Sequence, residues 1–179
     1  MSIPDEIVIY KGNACEKRTD FIWGRQIDDE VCDNLLEFWD NQRFLPVVPG
    51  QVYREGDPTV DTDFKESMDM MVPHQIAMPH VQNYLQALQG VLDDYTRVFP
   101  FCNTSRFTIV EPLSFQCYPV GGGFKEWHTE RLNALPGTVY RHLVFMTYLN
   151  DVPDGGTEWY HQDLYVPAKK GYTVIWPAD

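Results

Sequence analysis

The sequence predicts an α+β fold in which helices come first and short strands follow. Apolar residues recur at helical spacing in the first hundred residues, while β-branched and aromatic residues dominate the short runs after Pro100. Glycine and proline separate those runs. With 179 residues, of which 44% are hydrophobic and 14% aromatic, the chain is long and apolar enough to form one domain with its own core.

The first helix is expected to begin near Asp28 and Asp29, because negative side chains are favoured where the free N–H groups of a helix start. Four apolar residues at helical spacing form its stripe: Val31, Leu35, Phe38 and Trp39. Pro46 begins the region that ends this helix. Residues 1–25 are expected to be irregular or to hold a short strand.

Residues 46–75 are rich in proline, glycine and aspartate, and this composition predicts a long loop. Lys65, Ser67 and Asp69 lie near its end. Two roles are open for these three polar side chains, contact with a substrate or simple solvation. Solvation is favoured, because polar side chains in loops usually face water.

Pro79 suits the first turn of a second helix that ends before Pro100. Its stripe consists of apolar and aromatic residues at helical spacing: Val81, Tyr84, Leu85, Leu88, Val91, Leu92 and Tyr95. The later part of the chain holds runs that are typical of strands: 107–110, 113–118, 139–149 and 172–176. Many short strands separated by turns indicate a sandwich or jelly roll, with helices of the first half covering one sheet.

The net charge of −12, without a compact basic cluster, disfavours nucleic acid as a partner. The four cysteines form no CxxC pair, which argues against a zinc ribbon or a disulfide scaffold. Charges occur throughout the first thirty residues, so no signal peptide is expected, and no apolar run approaches the roughly 20 residues of a membrane helix. We therefore expect a cytoplasmic protein with no membrane partner.

The most informative segment runs from Tyr118 to Glu130 and places His128 and Glu130 two positions apart. On a strand, residues i and i+2 point to the same face, so both side chains would aim into a barrel interior. One imidazole and one carboxylate suit a divalent first-row metal, and a second histidine would complete the facial triad of non-haem iron oxygenases. His-x-Glu alone is a weak signal, because a surface histidine beside a solvated acid has the same pattern.

Three blocks surround this pair. The first is the Tyr-Pro-x-Gly-rich run that leads into His-x-acid at 118–130, the second is Tyr-Leu-Asn at 148–150 followed by Gly-Gly-Thr at 155–157, and the third is the hydrophobic strand with Trp-Pro at 167–177. In order and spacing they resemble the prolyl 4-hydroxylase-like group of iron(II)- and 2-oxoglutarate-dependent dioxygenases. The resemblance covers about residues 107–179.

The resemblance implies that His128 and Glu130 bind iron(II), and that Tyr118 and Tyr148 help to hold 2-oxoglutarate. Glu130 stands where the family usually has aspartate, and its longer side chain changes the geometry of the site. For each tyrosine, a core aromatic with a satisfied hydroxyl is an alternative of equal weight. L-ascorbate is a further cofactor that this group of enzymes allows.

The fold that the resemblance implies is a double-stranded β-helix, or jelly roll, with N-terminal helices packed on one sheet. In this family a second iron histidine and a basic residue for 2-oxoglutarate follow the strand that ends here at Trp176-Pro177. We therefore expect a C-terminally truncated single domain, 1–179, with a helical and loop part at 1–100 and an incomplete jelly-roll part at 101–179 whose last strands are missing. Unpaired strand edges then predict a homodimer or a strand-swapped assembly, with weak or no metal binding and weak or no activity.

The implied enzyme hydroxylates a peptide, such as one with a prolyl residue, or a small molecule, with 2-oxoglutarate and oxygen as co-substrates. The alternative is a non-catalytic, degenerate jelly-roll binding protein. A nucleic-acid demethylase of the same superfamily is disfavoured by the acidic composition. Two other histidines, His142 and His161, do not match the family's third-ligand position, and we expect polar-partner roles for them.

Overall fold

The computed structural model describes residues 9–10, 20–54, 56–131 and 137–179 of the chain. Both predicted helices are present in this part of the chain: α1 is Asp29–Asn41 and α2 is Pro79–Val98. The described strands are β1 Ile9–Tyr10, β2 Trp23–Gln26, β3 Val48–Pro49, β4 Val52–Arg54, β5 Asp57–Thr59, β6 Lys65–Glu66, β7 Met68–Val72, β8 Leu113–Cys117, β9 Gly123–Phe124, β10 Leu143–Thr147, β11 Gly156–Trp159, β12 Leu164–Pro167 and β13 Tyr172–Pro177. All their pairings are antiparallel, and the predicted α+β class is confirmed.

The chain divides into two compact units whose segments alternate along the sequence. The first unit comprises Met1–Asp40, Met78–Arg106 and His142–Pro177. The second unit comprises Asn41–Ala77, Phe107–Arg141 and Ala178–Asp179. In the described part of the chain, neither helix combines the length and the apolar character that crossing a membrane requires.

In the first unit, two three-stranded sheets share one apolar core. The sheet orders are β1-β12-β11 and β10-β13-β2. Side chains of β12 and β13 belong to the same buried cluster: Leu164 and Val166 from β12, and Tyr172 and Val174 from β13. Because alternate residues of a strand share a face, these pairs place the two sheets face to face.

Helix α2 covers the opposite face of the β10-β13-β2 sheet and contacts β2 and β13. The hydroxyl of Tyr84 on α2 lies 3.0 Å from Thr147 Oγ1, which lies 2.7 Å from Thr173 Oγ1 on β13. Strand β13 is therefore buried on both faces, which explains its continuous apolar run. This arrangement agrees with the prediction that a helix of the first half covers one sheet.

Gly24 on β2 lies against β13, and we expect its replacement by alanine to destabilise the protein. A Cβ at this position would overlap the carbonyl oxygen of Thr173 and come within 3.0 Å of Val174 Cα. Backbone atoms cannot move aside without disturbing the ladder, so the expected cost is about 1–3 kcal/mol, measured by urea unfolding. Gly137→Ala is the matched control, since a Cβ there meets nothing within 4 Å. Equal stability of the two variants would contradict the prediction.

In the second unit, the 46–75 segment contains strands rather than the predicted long loop. Strands β3 and β7 pair with each other, β7 pairs with β8, β4 pairs with β5, and β6 pairs with β9. The loop prediction was wrong because proline, glycine and aspartate mark the turns between very short strands. Strands β6 and β7 pair with β9 and β8, which lie far away in the sequence, and local composition does not indicate such pairing.

The predicted strand at 107–110 is also wrong. This segment is irregular, and the next strand, β8, begins at Leu113 after Pro112. The side chains at 107–110 would suit a pleated sheet, but strand propensity acts through packing against neighbouring strands. This segment has no such pairing and stays irregular. The other predicted runs contain β8, β10 and β13.

Candidate functional site

The glycine-rich run before His128 forms a tight turn that leads into β9. The N–H of Gly122 donates to the carbonyl of Pro119 at 2.8 Å, and Gly121 adopts a φ of +79°, which favours glycine. Strand β9 then pairs with β6. His128 and Glu130 follow in irregular chain, so the prediction that they lie on one strand was wrong. The turn and the short ladder, rather than strand alternation, set their positions.

His128 and Glu130 nevertheless face each other in the second unit. His128 Nε2 lies 3.6 Å from Glu130 Oε1, and the two side chains are 30% and 31% exposed. A first-row metal at about 2.0–2.2 Å from each donor keeps two neighbouring donors roughly 3 to 3.6 Å apart. The separation is long for a direct hydrogen bond but fits two ligands of one metal ion.

The environment of His128 fixes its tautomer. Its Nδ1 lies 2.9 Å from the carbonyl oxygen of Glu126, which can only accept, so Nδ1 is the protonated nitrogen. A neutral ring then leaves the lone pair on Nε2, the atom that faces Glu130. Desolvation lowers the pKa of His128, but the Glu130 carboxylate and the Glu126 carbonyl outweigh it, and the pKa is raised.

Arg141 holds Glu130 at two points. Its Nη1 donates to the Glu130 carbonyl oxygen at 2.6 Å and lies 3.4 Å from Glu130 Oε2. Its Nε and Nη2 form a two-pronged ion pair with Glu111, at 2.7 and 2.6 Å. The N–H of Glu130 donates to the Ala178 carbonyl at 3.1 Å. Because Arg141 contacts Oε2, Oε1 is the oxygen left facing His128.

Replacing Glu111 by glutamine is expected to remove a pH-dependent part of the stability. Its hydrogen bonds to Arg141 hold the pKa of Glu111 below the ordinary value of 4.5. A carboxyl group whose pKa is lower in the folded protein than in the unfolded chain stabilises the fold at pH values above the unfolded-state pKa. This stabilisation is lost as the pH falls through the folded-state pKa. Glu111 is 39% exposed, so the expected effect is about 1 kcal/mol or less.

Urea unfolding at a series of pH values measures this effect. The difference between the wild type and Glu111→Gln should be largest near neutral pH and should vanish well below pH 4.5. Glu37→Gln on α1 is the control for removing one negative charge. A difference that stays constant with pH would refute the assigned cause.

Lys65, Ser67 and Asp69 form a buried polar triad, so the favoured solvated role was wrong. Lys65 Nζ lies 2.6 Å from Asp69 Oδ2, and Ser67 Oγ donates to Asp69 Oδ1 at 2.7 Å. The three residues are 4%, 7% and 8% exposed. Gly50 closes over the triad, since a Cβ there would overlap Ser67 Oγ.

The charges of the triad act on residues of the candidate site. The positive charge of Lys65 opposes protonation of His128. Burial raises the pKa of Tyr118, and the negative charges of Asp69 and Glu130 raise it further. The Tyr118 hydroxyl donates to Gln116 Oε1 at 2.5 Å. Tyr118, His128 and Glu130 therefore lie in one neighbourhood of the second unit.

The remaining predicted residues belong to the first unit. Tyr148 packs against the core between the two sheets, and its hydroxyl lies 2.7 Å from Thr157 Oγ1 and 3.3 Å from the Val166 carbonyl. These contacts match the core-aromatic alternative, and its 2-oxoglutarate role stays a prediction. His142 is a polar partner, as expected, because its Nε2–H donates to the Cys102 carbonyl oxygen at 2.7 Å. His161 is exposed beside Tyr160, a ring neighbour at 5.3 Å.

Three residues of this site were missed in the sequence: Glu111, Phe124 and Arg141. The Glu111–Arg141 ion pair joins positions thirty residues apart, and no local sequence pattern indicates it. Phe124 lies four residues before His128, but the chain between them is neither a helix nor a continuous strand, so no periodic pattern links the two positions. An aromatic residue between the glycine turn and the histidine was the only available signal.

Within the described residues, no group of three or more histidine, cysteine, aspartate or glutamate side chains is placed to hold a metal ion. The pair itself fits such an ion, because an imidazole nitrogen and a carboxylate oxygen lie at a distance that one metal spans. A scan against models of known protein families finds no match, and a search of curated proteins finds no matching sequence. The dioxygenase resemblance therefore remains an expectation based on the three sequence blocks.

Proposed function

We propose that this chain provides His128 and Glu130 as two iron(II) ligands of a 2-oxoglutarate-dependent dioxygenase with a jelly-roll core. The observation that carries the proposal is the 3.6 Å separation of His128 Nε2 and Glu130 Oε1. The Glu126 carbonyl supports it by keeping the proton on Nδ1, since a metal-binding histidine commonly donates its other N–H to such a partner. The two facing sheets of the first unit support the jelly-roll part of the proposal.

In this function each residue has a defined task. His128 offers its Nε2 lone pair, and Glu130 offers Oε1 while Arg141 restrains Oε2. Tyr118 has one hydroxyl hydrogen, which is donated to Gln116 Oε1 in this structure and would turn to a carboxylate oxygen of bound 2-oxoglutarate. When bound, iron(II) with 2-oxoglutarate and oxygen supplies the oxidising chemistry for hydroxylation of a C–H bond. The substrate is a peptide or a small molecule.

The first test is Co(II) binding measured by titration calorimetry, with Co(II) as an air-stable probe of the iron(II) site. We expect weak binding, because two side chains supply fewer donors than the usual three, and we expect His128→Ala and Glu130→Ala to abolish it. His161→Ala is the matched control, since this histidine is exposed and far along the chain, and it should bind as the wild type does. Binding that is absent, or equal in all variants, contradicts the proposal.

The second test is Fe(II)-dependent formation of succinate from 2-oxoglutarate. The wild type and His161→Ala should form succinate at equal but low rates, because the pair supplies two of the usual three donors, and Glu130→Ala should form none. Succinate formation that does not require Glu130 would show that the assigned pair does not carry the reaction.

The Arg141 contact favours a second candidate function, a non-catalytic binding protein. A guanidinium group beside Glu130 Oε2 neutralises part of the charge that a metal ligand needs. In a binding protein the network of Arg141, Glu111 and Glu130 would only hold the fold. The chain would then bind no Co(II) at this pair, and Arg141→Met would only lower stability. In the oxygenase, losing the restraint on Glu130 Oε2 should also weaken Co(II) binding by about 10-fold to 100-fold.

A further inference from the structure

We propose that Phe124 is a positioning residue whose ring sets the orientation of the His128 imidazole. This inference rests on the proposed function, because His128 matters there as a ligand that must point at Glu130. The rings of Phe124 and His128 are stacked, with centroids 3.8 Å apart and planes 21° from parallel. This separation is shorter than the 5.0 Å of the Tyr95–Phe99 pair and the 5.4 Å of the Phe64–Phe124 pair.

The imidazole needs this support because its main-chain partner, the Glu126 carbonyl, holds the ring at one atom. His128 lies in irregular chain, and its side chain is 30% exposed, so neither a strand nor a packed core restricts its rotamer. The bond from Nδ1 to the Glu126 carbonyl fixes the tautomer and anchors one corner of the ring. The stacked face of Phe124 restricts the plane of the ring, and these two restraints together direct Nε2 at Glu130.

Phe124 is itself held in place from two sides. Its main chain belongs to the β6–β9 ladder, in which Phe124 pairs with Lys65, and the N–H of Lys125 donates to the Phe64 carbonyl at 2.8 Å. The ring of Phe64 meets the Phe124 ring edge-on, with centroids 5.4 Å apart and an angle of 71°. The Arg54 guanidinium lies over Phe64, 4.6 Å from its centroid.

These contacts form a column of four side chains: Arg54, Phe64, Phe124 and His128. Only the last contact in the column reaches the proposed metal ligand. Removing the Phe124 ring should therefore free the imidazole, while removing the Phe64 ring should loosen the column one step further away. This difference separates a positioning role from a general effect on stability.

The test compares Phe124→Leu, Phe124→Tyr and Phe64→Leu. Phe124→Leu should bind Co(II) about 10-fold to 100-fold more weakly than the wild type, the range typical for groups that orient a ligand. Phe124→Tyr keeps the stacked ring and should restore affinity to within a few-fold of the wild type. Phe64→Leu should lower the melting temperature, while its Co(II) affinity should stay within a few-fold of the wild-type value.

A readout without metal separates this inference from the proposed function. In the NMR spectrum of the metal-free wild type, the imidazole protons of His128 should be shifted upfield by the Phe124 ring current. Phe124→Leu should lose this shift, and Phe124→Tyr should keep it. The Nδ1-protonated tautomer should dominate in both the wild type and Phe124→Leu, because the Glu126 carbonyl accepts that proton and is unchanged in the variant.

The outcomes are distinct. An unshifted His128 imidazole in the wild type overturns the inference even if no variant folds. Wild-type Co(II) affinity in Phe124→Leu, with binding abolished in His128→Ala, overturns the inference alone and leaves the proposed function standing. Binding that is unchanged in His128→Ala overturns the proposed function, and the imidazole spectrum still decides whether Phe124 orients the ring.

Discussion

Replacing Lys65 by methionine is expected to destabilise the protein by about 3–5 kcal/mol, because it leaves the buried carboxylate of Asp69 without its cation. The two side chains are only 5% and 11% exposed, and their charged atoms lie 2.6 Å apart. Water cannot replace the lost partner at such a site. Urea unfolding of the single variant measures this cost.

The same reasoning predicts a rescue. A triple variant, Lys65→Met with Ser67→Ala and Asp69→Leu, removes every charge and hydroxyl of the triad together, and its stability should return close to that of the wild type. The control for a lysine ion pair in water is Lys125→Met, since Lys125 is 38% exposed in its pair with Glu66. Its expected cost is about 1 kcal/mol or less. Equal costs for Lys65→Met and Lys125→Met would show that Lys65 is solvated after all.

Replacing Leu164 by alanine is expected to cost about 2–5 kcal/mol, because its side chain fills the core between the two sheets of the first unit. Leu164 is 1% exposed and shares its cluster with Tyr172 and Val174 of the facing sheet. Thermal and urea unfolding measure the loss. Val152→Ala is the surface control, since Val152 is 46% exposed, and it should change stability by about 0.5 kcal/mol or less.

A double-mutant cycle shows whether the loss comes from packing between the sheets. Combined with Val174→Ala on β13, the Leu164→Ala change should show a coupling free energy of about 0.5–3 kcal/mol, because the two side chains belong to one buried cluster. Purely additive costs would indicate that the sheets do not pack through these residues. The sandwich that the jelly-roll prediction requires would then lose its main support.

Local periodicity in the sequence was sufficient for the helices. The stripes that begin at Val31 and Val81 repeat every three or four residues, and each helix follows its stripe closely. The same holds for β8, β10 and β13, whose alternating or continuous apolar runs are long enough to be recognised. These elements are decided by neighbours along the chain, so one-dimensional patterns describe them.

Part of the candidate site is local in the sequence, and its role stays a prediction. The sequence brought Tyr118, His128 and Glu130 into a single segment, and the structure keeps them in one neighbourhood. The assumed reason was different, since strand alternation was expected to align His128 with Glu130. The alignment depends instead on a glycine turn, on the Glu126 carbonyl and on the Phe124 ring.

Only the tertiary structure decided what surrounds that pair. Lys65 and Asp69 look like loop residues in the sequence, yet they are buried because β6 and β7 pair with strands some fifty residues later. Arg141 contacts Glu111 and Glu130, which precede it by 30 and 11 residues. Pairing between distant segments depends on the free energy of the whole fold and not on the composition of either segment. The sequence by itself therefore determined the helices and the two candidate ligands, whereas long-range pairing determined the charges and rings that orient them.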